Sequence, residues 1–159
     1  MKYFVLSLLV FLFFTCSKTK LVPISSKELI EKIATFKGKK AVLVNVWALW
    51  CRPCVDEFPM IVDFQKKNNL DLEVIFVSAD FEEQFGDVAS FLNDYNVGRL
   101  NYIKNEKDES FINGLHPSWN GSIPFTMVYG KNSGIIVDYW EGVDTAQRFE
   151  KAIKTALYN

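Results

Sequence analysis

A buried strand followed directly by two closely spaced cysteines limits the fold of this chain more than any other feature. Residues 41–47 read AVLVNVW, a β-rich run without the alternation of polar and apolar residues that marks a half-exposed strand. Such a run predicts a strand covered on both faces, as in a parallel sheet. Cys51 and Cys54 come next, and the apolar residues after them recur at helical spacing up to Phe64. The order is therefore strand, cysteine pair, helix.

The rest of the chain continues the alternation of strand and helix patterns. Ser25 and Glu28 have the spacing of a capping box and predict the start of a helix. Apolar spacing predicts helices over about 26–36, 82–96, 109–115 and 144–157, a second buried strand over 72–78, and an antiparallel hairpin with strands 125–129 and 135–140. The β-α-β order implies parallel strands joined by right-handed crossovers. An α/β domain is therefore expected.

The N-terminus differs in composition from the rest of the chain. Residues 3–14, YFVLSLLVFLFF, form an apolar run of 12 residues, whereas a helix needs about 20 to cross a bilayer. This shorter length is typical of the core of an export signal. We therefore predict a signal peptide over residues 1–15, a polar linker over 16–24 and a single domain over 25–159.

Cys16 follows this apolar run almost directly. Its place resembles that of the acceptor cysteine in bacterial lipoproteins, whose thiol is acylated after export. Two or three acyl chains would hold the protein at a membrane, since one chain alone binds only marginally. The alternative is an ordinary signal peptide, removed without lipidation. Both readings predict an exported, extracytoplasmic protein on the periplasmic side, and lipidation of Cys16 adds a membrane anchor.

Charge and cysteine count exclude several classes of protein. The 159 residues carry a formal net charge of -1 with both signs scattered along the chain, so no basic surface for nucleic acid is expected. Cys51 and Cys54 are the one close pair among three cysteines, too few for a disulfide framework. A zinc site needs two further ligands, and the chain has one histidine. A structural disulfide here would close a very short loop and constrain little of the unfolded chain.

A redox-active pair is the remaining interpretation, and the predicted site favours it. Cys51 lies where the helix begins, and the unpaired N–H groups of a first helical turn stabilise a thiolate. Cys54 lies on the same side of that turn, within reach of a mixed disulfide on Cys51. We therefore predict Cys51 as the nucleophile and Cys54 as the resolving thiol. Pro53 suits a helix start, and Arg52 is expected to lower the pKa of Cys51 if its side chain stays close.

Two stretches of the sequence carry a family resemblance. The first is WALWCRPCVDEFP, from Trp47 to Pro59, and the second is SIPFT, from Ser122 to Thr126. Together they resemble the signature of the TlpA/ResA-like thiol-disulfide oxidoreductases. The resemblance covers about residues 25–157 and implies a thioredoxin-like fold, with a mixed sheet of about five strands flanked by helices. We predict no bound cofactor and no metal.

The resemblance also implies roles for residues outside the cysteine pair. Pro124 is expected to follow a cis peptide bond, and the backbone of Ile123 is expected to pair with an extended substrate segment. Glu57 is the candidate group that accepts the Cys54 proton or tunes its pKa. The alternative for Glu57 is a solvated charge on the helix surface.

Residues just before the cysteine pair refine the predicted site. Trp50, beside Cys51, is expected to form apolar surface at which a substrate binds. Asn45 stands where thioredoxin has a buried carboxylate, and an amide cannot relay a proton in that way. The stretch Ala48-Leu49-Trp50 lacks the threonine that usually precedes a peroxidatic cysteine, which disfavours peroxidase activity.

Proteins of this family mostly reduce disulfides outside the cytoplasm, including those of apocytochromes c, with electrons from a membrane thiol donor. The resemblance therefore predicts a tethered reductase, with exported disulfide-bearing client proteins and such a donor as its partners. The residues themselves leave the direction open, since a stabilised Cys51 thiolate favours the reduced protein and hence oxidation of the client. A disulfide oxidase or isomerase, and a redox-inactive binding module with this fold, remain the alternatives.

Overall fold

The computed structural model describes residues 20–97 and 100–159. The predicted signal peptide and Cys16 lie outside these described residues. Within them the chain forms six strands, five α-helices and one short 3-10 helix at Glu82–Gln84. In chain order the strands and α-helices are β1 (Lys20–Ile24), α1 (Ser26–Ala34), β2 (Ala41–Trp47), α2 (Arg52–Lys67), β3 (Leu72–Ser78), α3 (Phe85–Asp94), β4 (Leu100–Lys104), α4 (Asp108–Leu115), β5 (Phe125–Tyr129), β6 (Ile136–Glu141) and α5 (Ala146–Tyr158).

All six strands belong to one mixed sheet in the order β1-β4-β3-β2-β5-β6. The first four strands in this order run parallel, while β5 is antiparallel to β2 and β6 is antiparallel to β5. β2 lies inside the sheet and all seven of its residues are buried, which is why its sequence shows no alternation. The predicted α/β class and mixed sheet are confirmed, with six strands in place of about five.

The sequence pattern does not reveal two of the strands. β1 occupies residues 20–24 and pairs in parallel with β4 over all five of its residues. β4 lies in the irregular part of the chain between two helix patterns. Each strand is short and is stabilised by a distant part of the chain, and no local pattern reports such a pairing. The linker prediction for 16–24 is therefore wrong over residues 20–24, which belong to the domain.

The other elements lie close to their predicted bounds. β2 and β3 match the predicted strands, and the second hairpin strand is shifted by one residue. The capping box is present, since Glu28 N–H donates to Ser25 Oγ at 3.3 Å and Ser25 N–H donates to Glu28 Oε2 at 2.9 Å. The helix predicted over 82–96 begins with the 3-10 helix and ends earlier, at Asp94.

Helices cover both faces of the sheet and fix the position of the cysteine pair. On one face α2, α3 and α5 pack against Trp47 and Phe76, and on the other α1 and α4 pack with Trp119 and Phe125. Phe58 of α2 stacks on Phe76 with 4.1 Å between ring centroids. This packing holds the first turn of α2 at the carboxyl end of β2.

Candidate active site

Cys51 and Cys54 form a disulfide at the first turn of α2. The S–S distance is 2.05 Å and the Cα atoms are 5.3 Å apart. Cys51 is the N-cap residue, and the N–H of Cys54 donates to its Sγ at 3.3 Å. In the reduced protein this N–H stabilises a thiolate on Cys51, because hydrogen bonds to ionised groups are the stronger ones. Cys51 is 6% exposed and Cys54 is 2% exposed, which favours Cys51 as the attacking sulfur.

The turn before the pair is held by an acidic residue that the sequence analysis does not identify. Asp80 lies two residues after the end of β3 and is 2% exposed. Its carboxylate accepts hydrogen bonds from Leu49 N–H at 3.0 and 3.1 Å and from Ser78 Oγ at 2.7 Å. The Ala79 N–H donates to Trp47 O at 2.7 Å. Asp80 thus fixes the turn between β2 and α2. Its signal in the sequence is an acidic residue at the carboxyl end of a buried strand that neighbours β2.

The loop before β5 faces the disulfide. The peptide bond between Ile123 and Pro124 is cis, as predicted, and Ile123 O lies 3.7 Å from Cys51 Sγ. The antiparallel pairing of β5 with β2 brings these two distant parts of the chain together. Pro124 O accepts a hydrogen bond from Gly142 N–H at 2.8 Å, which ties the loop to the segment after β6. An extended peptide that pairs with Ile123 would therefore lie next to Cys51.

Glu57 lies one turn beyond Cys54 on α2 and is 6% exposed. Its Oε1 accepts from Asn45 Nδ2 at 3.4 Å, and its Oε2 accepts from Asp144 N–H at 3.3 Å. Burial raises the pKa of Glu57 to about 7, although the two hydrogen bonds oppose this shift, and the Asp144 carboxylate adds to it. Glu57 therefore exchanges a proton near neutral pH. The alternative of a solvated helix charge is wrong.

Asn45 lies in β2 and connects α2 with β5. Besides Glu57, its Nδ2 donates to Thr126 Oγ1 at 3.0 Å, and both Asn45 and Thr126 are buried. The amide orients the Glu57 carboxylate rather than taking up its proton. Thr126 has this role because it stands opposite Asn45 in the β2–β5 register, a relation that depends on the fold and has no local sequence signal.

The two exposed neighbours of Cys51 differ in their contacts. Trp50 is 59% exposed beside the disulfide, in keeping with the expected apolar surface. The Arg52 side chain is 84% exposed, and its Nε lies 2.9 Å from Asp56 Oδ1. This pairing raises the pKa of Arg52, and solvent screens the remaining charge. We therefore expect Arg52 to have little effect on the Cys51 pKa.

Comparison with known proteins identifies relatives of the chain. The sequence pattern of the AhpC/TSA family matches residues 14–148. The chain is 31% identical over 121 residues to the thioredoxin-like protein YneN of Bacillus subtilis, which is 74% of this chain and 65% of YneN. It is 36% identical over 61 residues to the thiol:disulfide interchange protein CycY of Rhizobium leguminosarum, which is 38% of this chain and 30% of CycY. The chain thus spans less than two thirds of the length of each of these relatives.

Solved structures share the fold. A thiol:disulfide interchange protein of the thioredoxin family from Chlorobium tepidum superposes with a TM-score of 0.64 at 26% identity, covering 78% of this chain and 83% of that protein. The exposed lipoprotein thioredoxin Etrx1 of Streptococcus pneumoniae superposes with a TM-score of 0.58 at 19% identity, covering 77% and 89%, and this likeness concerns the fold alone. The predicted thioredoxin-like fold is confirmed, and the relatives support the resemblance to TlpA/ResA-like oxidoreductases. The chain therefore belongs to the AhpC/TSA family, with a thioredoxin-like fold that carries its cysteine pair at the start of α2.

Proposed function

We propose that this protein is an extracytoplasmic thiol-disulfide oxidoreductase that reduces disulfides in exported client proteins. The observation that carries the proposal is the Cys51–Cys54 disulfide at the N-terminus of α2, opposite the cis bond before Pro124. CycY and the Chlorobium protein are both named thiol:disulfide interchange proteins. Their similarity to this chain supports the same class of chemistry here.

The reduced protein would transfer two electrons in two exchange steps. The Cys51 thiolate attacks one sulfur of the client disulfide, forms a mixed disulfide with it and releases the other client sulfur, which takes up a proton. The Cys54 thiol then loses its proton and attacks Cys51 Sγ. This releases the first client sulfur, which is also protonated, and leaves the Cys51–Cys54 disulfide. The client gains two electrons, both from the protein, and two protons. One proton balances the proton that Cys54 loses, and the other comes from solvent, because Cys51 enters the reaction as a thiolate.

Glu57 fits the role of acceptor for the Cys54 proton. It follows Cys54 by three residues and therefore lies on the same side of α2. With a pKa of about 7, roughly half of the Glu57 carboxyl groups are ionised at neutral pH and ready to accept a proton. The hydrogen bonds from Asn45 and Asp144 hold the carboxylate in one orientation while it does so.

The reductive direction is supported by the resemblance and by the contacts of Arg52. A positive charge close to Cys51 would stabilise its thiolate and make the protein a stronger oxidant, but Arg52 pairs with Asp56 instead. Equilibration with glutathione measures the potential. A value near that of thioredoxin, about -270 mV, supports a reductase, whereas a value near that of DsbA, about -120 mV, would replace it with the oxidase alternative.

The proposed location outside the cytoplasm is supported by the apolar run over residues 3–14 and by Cys16 after it. Lipidation of Cys16 would supply a membrane anchor, and a membrane thiol protein would return electrons to the Cys51–Cys54 disulfide. No helix within residues 20–97 or 100–159 is long and apolar enough to span a bilayer. Cell fractionation tests the anchor, since Cys16→Ser is expected to move the protein from the membrane to the soluble fraction.

Trapping of clients tests the proposed function. The Cys54→Ala variant is expected to accumulate mixed disulfides through Cys51, because the resolving thiol is missing, and mass spectrometry of the adducts identifies the clients. Cys51→Ala is the matched control and should trap few or none. Adducts through Cys54 in that control would reverse the roles of the two thiols. An unchanged phenotype of the Cys51→Ser/Cys54→Ser double variant would instead favour the redox-inactive binding module.

A further inference from the structure

We propose that a cavity beside Cys51 binds an aromatic side chain of the client, carried within two residues of the client cysteine that reacts. The inference rests on the proposed function, because it names the class of client segment that the same site accepts. We call this space the aromatic cavity. The apolar side chains in its lining on which the inference depends are Trp50, Phe81, Phe111, Ile112, Trp119 and Ile123.

The size of the aromatic cavity matches one ring. Its volume is about 140 Å³, and an apolar cavity of about 150 Å³ in an unrelated protein holds one molecule of benzene. A phenylalanine or tyrosine side chain of the client would therefore fill it. A glycine or alanine would leave most of the volume empty and gain little contact.

Trp119 gives the aromatic cavity a ring surface whose one polar atom is already hydrogen-bonded. Trp119 Nε1 donates to Ser122 O at 2.8 Å, so its polar atom is already satisfied. The Trp119 ring stacks on Phe125 with 4.5 Å between centroids, and it meets the edge of Phe111 at 6.3 Å. These contacts hold the ring in place, and aromatic rings pack favourably against one another in such stacked and edge-on arrangements.

The charged residues at the aromatic cavity favour a neutral occupant. Lys104 and Asp108 also line it, and Lys104 Nζ lies 2.7 Å from Asp108 Oδ1. Lys104 Nζ further donates to Glu106 O at 3.0 Å. Because the two charges pair with each other, a charged client side chain would lose water without gaining a counter-charge of its own. The chemistry of the lining therefore favours phenylalanine over an acidic or basic residue.

The aromatic cavity is continuous with the redox centre through two residues. Trp50 precedes Cys51 in the chain, and Ile123 lines the aromatic cavity while its carbonyl oxygen lies 3.7 Å from Cys51 Sγ. A client segment that pairs with Ile123 brings its own cysteine to Cys51. Two residues of extended chain span about 7 Å, so a ring within two positions of that cysteine reaches the aromatic cavity.

Two aromatic side chains that line the aromatic cavity, Trp50 and Phe81, are exposed to solvent, which also indicates an interaction surface. Trp50 is 59% exposed and Phe81 is 67% exposed. Large aromatic side chains are costly to leave in water and are enriched where partners bind. A client ring placed between Trp50 and Phe81 would cover apolar surface on both.

Two short peptides test the inference with the full-length reduced protein. Each peptide carries one cysteine as a mixed disulfide with glutathione. At the positions within two residues of that cysteine, on both sides, one peptide has phenylalanine and the other has glycine. We expect the second-order rate constant for reduction to be roughly tenfold higher for the phenylalanine peptide. Phe81→Ala is expected to bring the ratio of the two rates close to one, and so is Ala79→Leu, which fills the aromatic cavity from its wall. Ile135→Ala, which removes an equally exposed side chain from the β5–β6 turn, is the matched control and should keep the ratio.

The outcomes separate this inference from the proposed function. Reduction of both peptides at equal rates by the wild-type protein would overturn the inference and leave the proposed function standing, as would a ratio that survives both cavity variants. Failure to reduce either peptide would overturn the proposed function. In that case the same peptides with serine in place of cysteine decide the binding question by calorimetry, since the inference requires tighter binding of the phenylalanine peptide and weaker binding after Phe81→Ala.

Discussion

The two sides of the Cys51–Cys54 disulfide differ in what they bury. On one side the Glu57 carboxylate is buried and accepts hydrogen bonds from the Asn45 amide and from the backbone N–H of Asp144. On the other side Trp50 and the rest of the aromatic cavity form an apolar surface open to solvent. Under the proposed function, proton transfer and client binding would therefore depend on separate groups. Substitutions on the two sides should therefore change different observables.

The largest expected effect comes from Asp80, which holds the turn that joins the two sides. Asp80→Ala leaves the Leu49 N–H and the Ser78 hydroxyl without their acceptor, and each unsatisfied buried group costs about 1–3 kcal/mol. We expect the free energy of unfolding to fall by about 4 kcal/mol in urea denaturation. Asp80→Asn keeps an oxygen acceptor and should cost less. Asp63→Ala, on the exposed side of α2, is the control and should change the free energy of unfolding little. A loss at Asp80 as small as the loss at Asp63 would show that the turn does not depend on Asp80.

Next in size is the pH dependence that Glu57 imposes on stability. Its pKa is about 7 in the folded protein against 4.5 for the free side chain, so the folded state binds more protons than the unfolded state between these values. Stability therefore falls as pH rises from about 4.5 to 7, by an amount on the order of 3 kcal/mol. Glu57→Gln cannot ionise and should remove this loss.

Urea denaturation of both proteins across this pH range measures the effect of Glu57. The same variant should also lack the inflection near pH 7 in the rate at which Cys54 resolves a mixed disulfide. If the aromatic cavity binds the client independently of Glu57, the preference for the phenylalanine peptide should persist in Glu57→Gln. A slope of stability against pH that is the same in both proteins would contradict the raised pKa.

A smaller effect is expected where Asn45 meets β5. Thr126→Val keeps the shape of the side chain but removes the acceptor for Asn45 Nδ2. One lost hydrogen bond of this kind costs about 1 kcal/mol, which thermal or urea unfolding resolves. Thr155→Val makes the same chemical change on the exposed surface of α5 and should be close to neutral. Equal effects at the two positions would mean that Asn45 does not need Thr126 to orient Glu57.

The smallest effect is expected at Arg52. Its ion pair with Asp56 is exposed, and such pairs contribute little to stability because solvent screens them. Arg52→Gln should leave the free energy of unfolding unchanged within experimental error. The Cys51 pKa, followed by the absorbance of the thiolate in the reduced protein, should also barely move. A clear rise in that pKa would show that Arg52 acts on the thiolate despite its pairing with Asp56.

The sequence predicts those parts of the fold that a local pattern encodes. The runs in β2 and β3 are apolar because both faces of the strands are buried, and the cysteine pair is recognised from the strand before it and the helix after it. β1 and β4 are different, since each is only five residues long, β1 depends on pairing with β4, and β4 lies between β1 and β3. These strands are stabilised by contacts with distant parts of the chain, which form only when the chain folds. The composition of each strand alone therefore does not reveal it as a strand.

The residues of the candidate site divide in the same way, into those with a local sequence signal and those that depend on distant contacts. Cys51, Cys54 and the cis bond at Pro124 are predicted from motifs, as is the exposure of Trp50. The burial of Glu57 depends on the segment around Asp144, far along the chain. The aromatic cavity likewise combines side chains from four separate segments. Such a set forms only through the three-dimensional packing of the chain.

The two outer strands of the sheet bear on the behaviour of the protein at high local concentration. β1 and β6 are the edges of the sheet in the described part of the chain, and an open edge invites strand addition from a neighbouring molecule. Pro23 lies within β1 and lacks an N–H donor, while the pairing of β6 with β5 is irregular and β6 carries the charged Asp138 and Glu141. Both edges are therefore poor templates for aggregation, so many copies could be held close together without joining sheet to sheet.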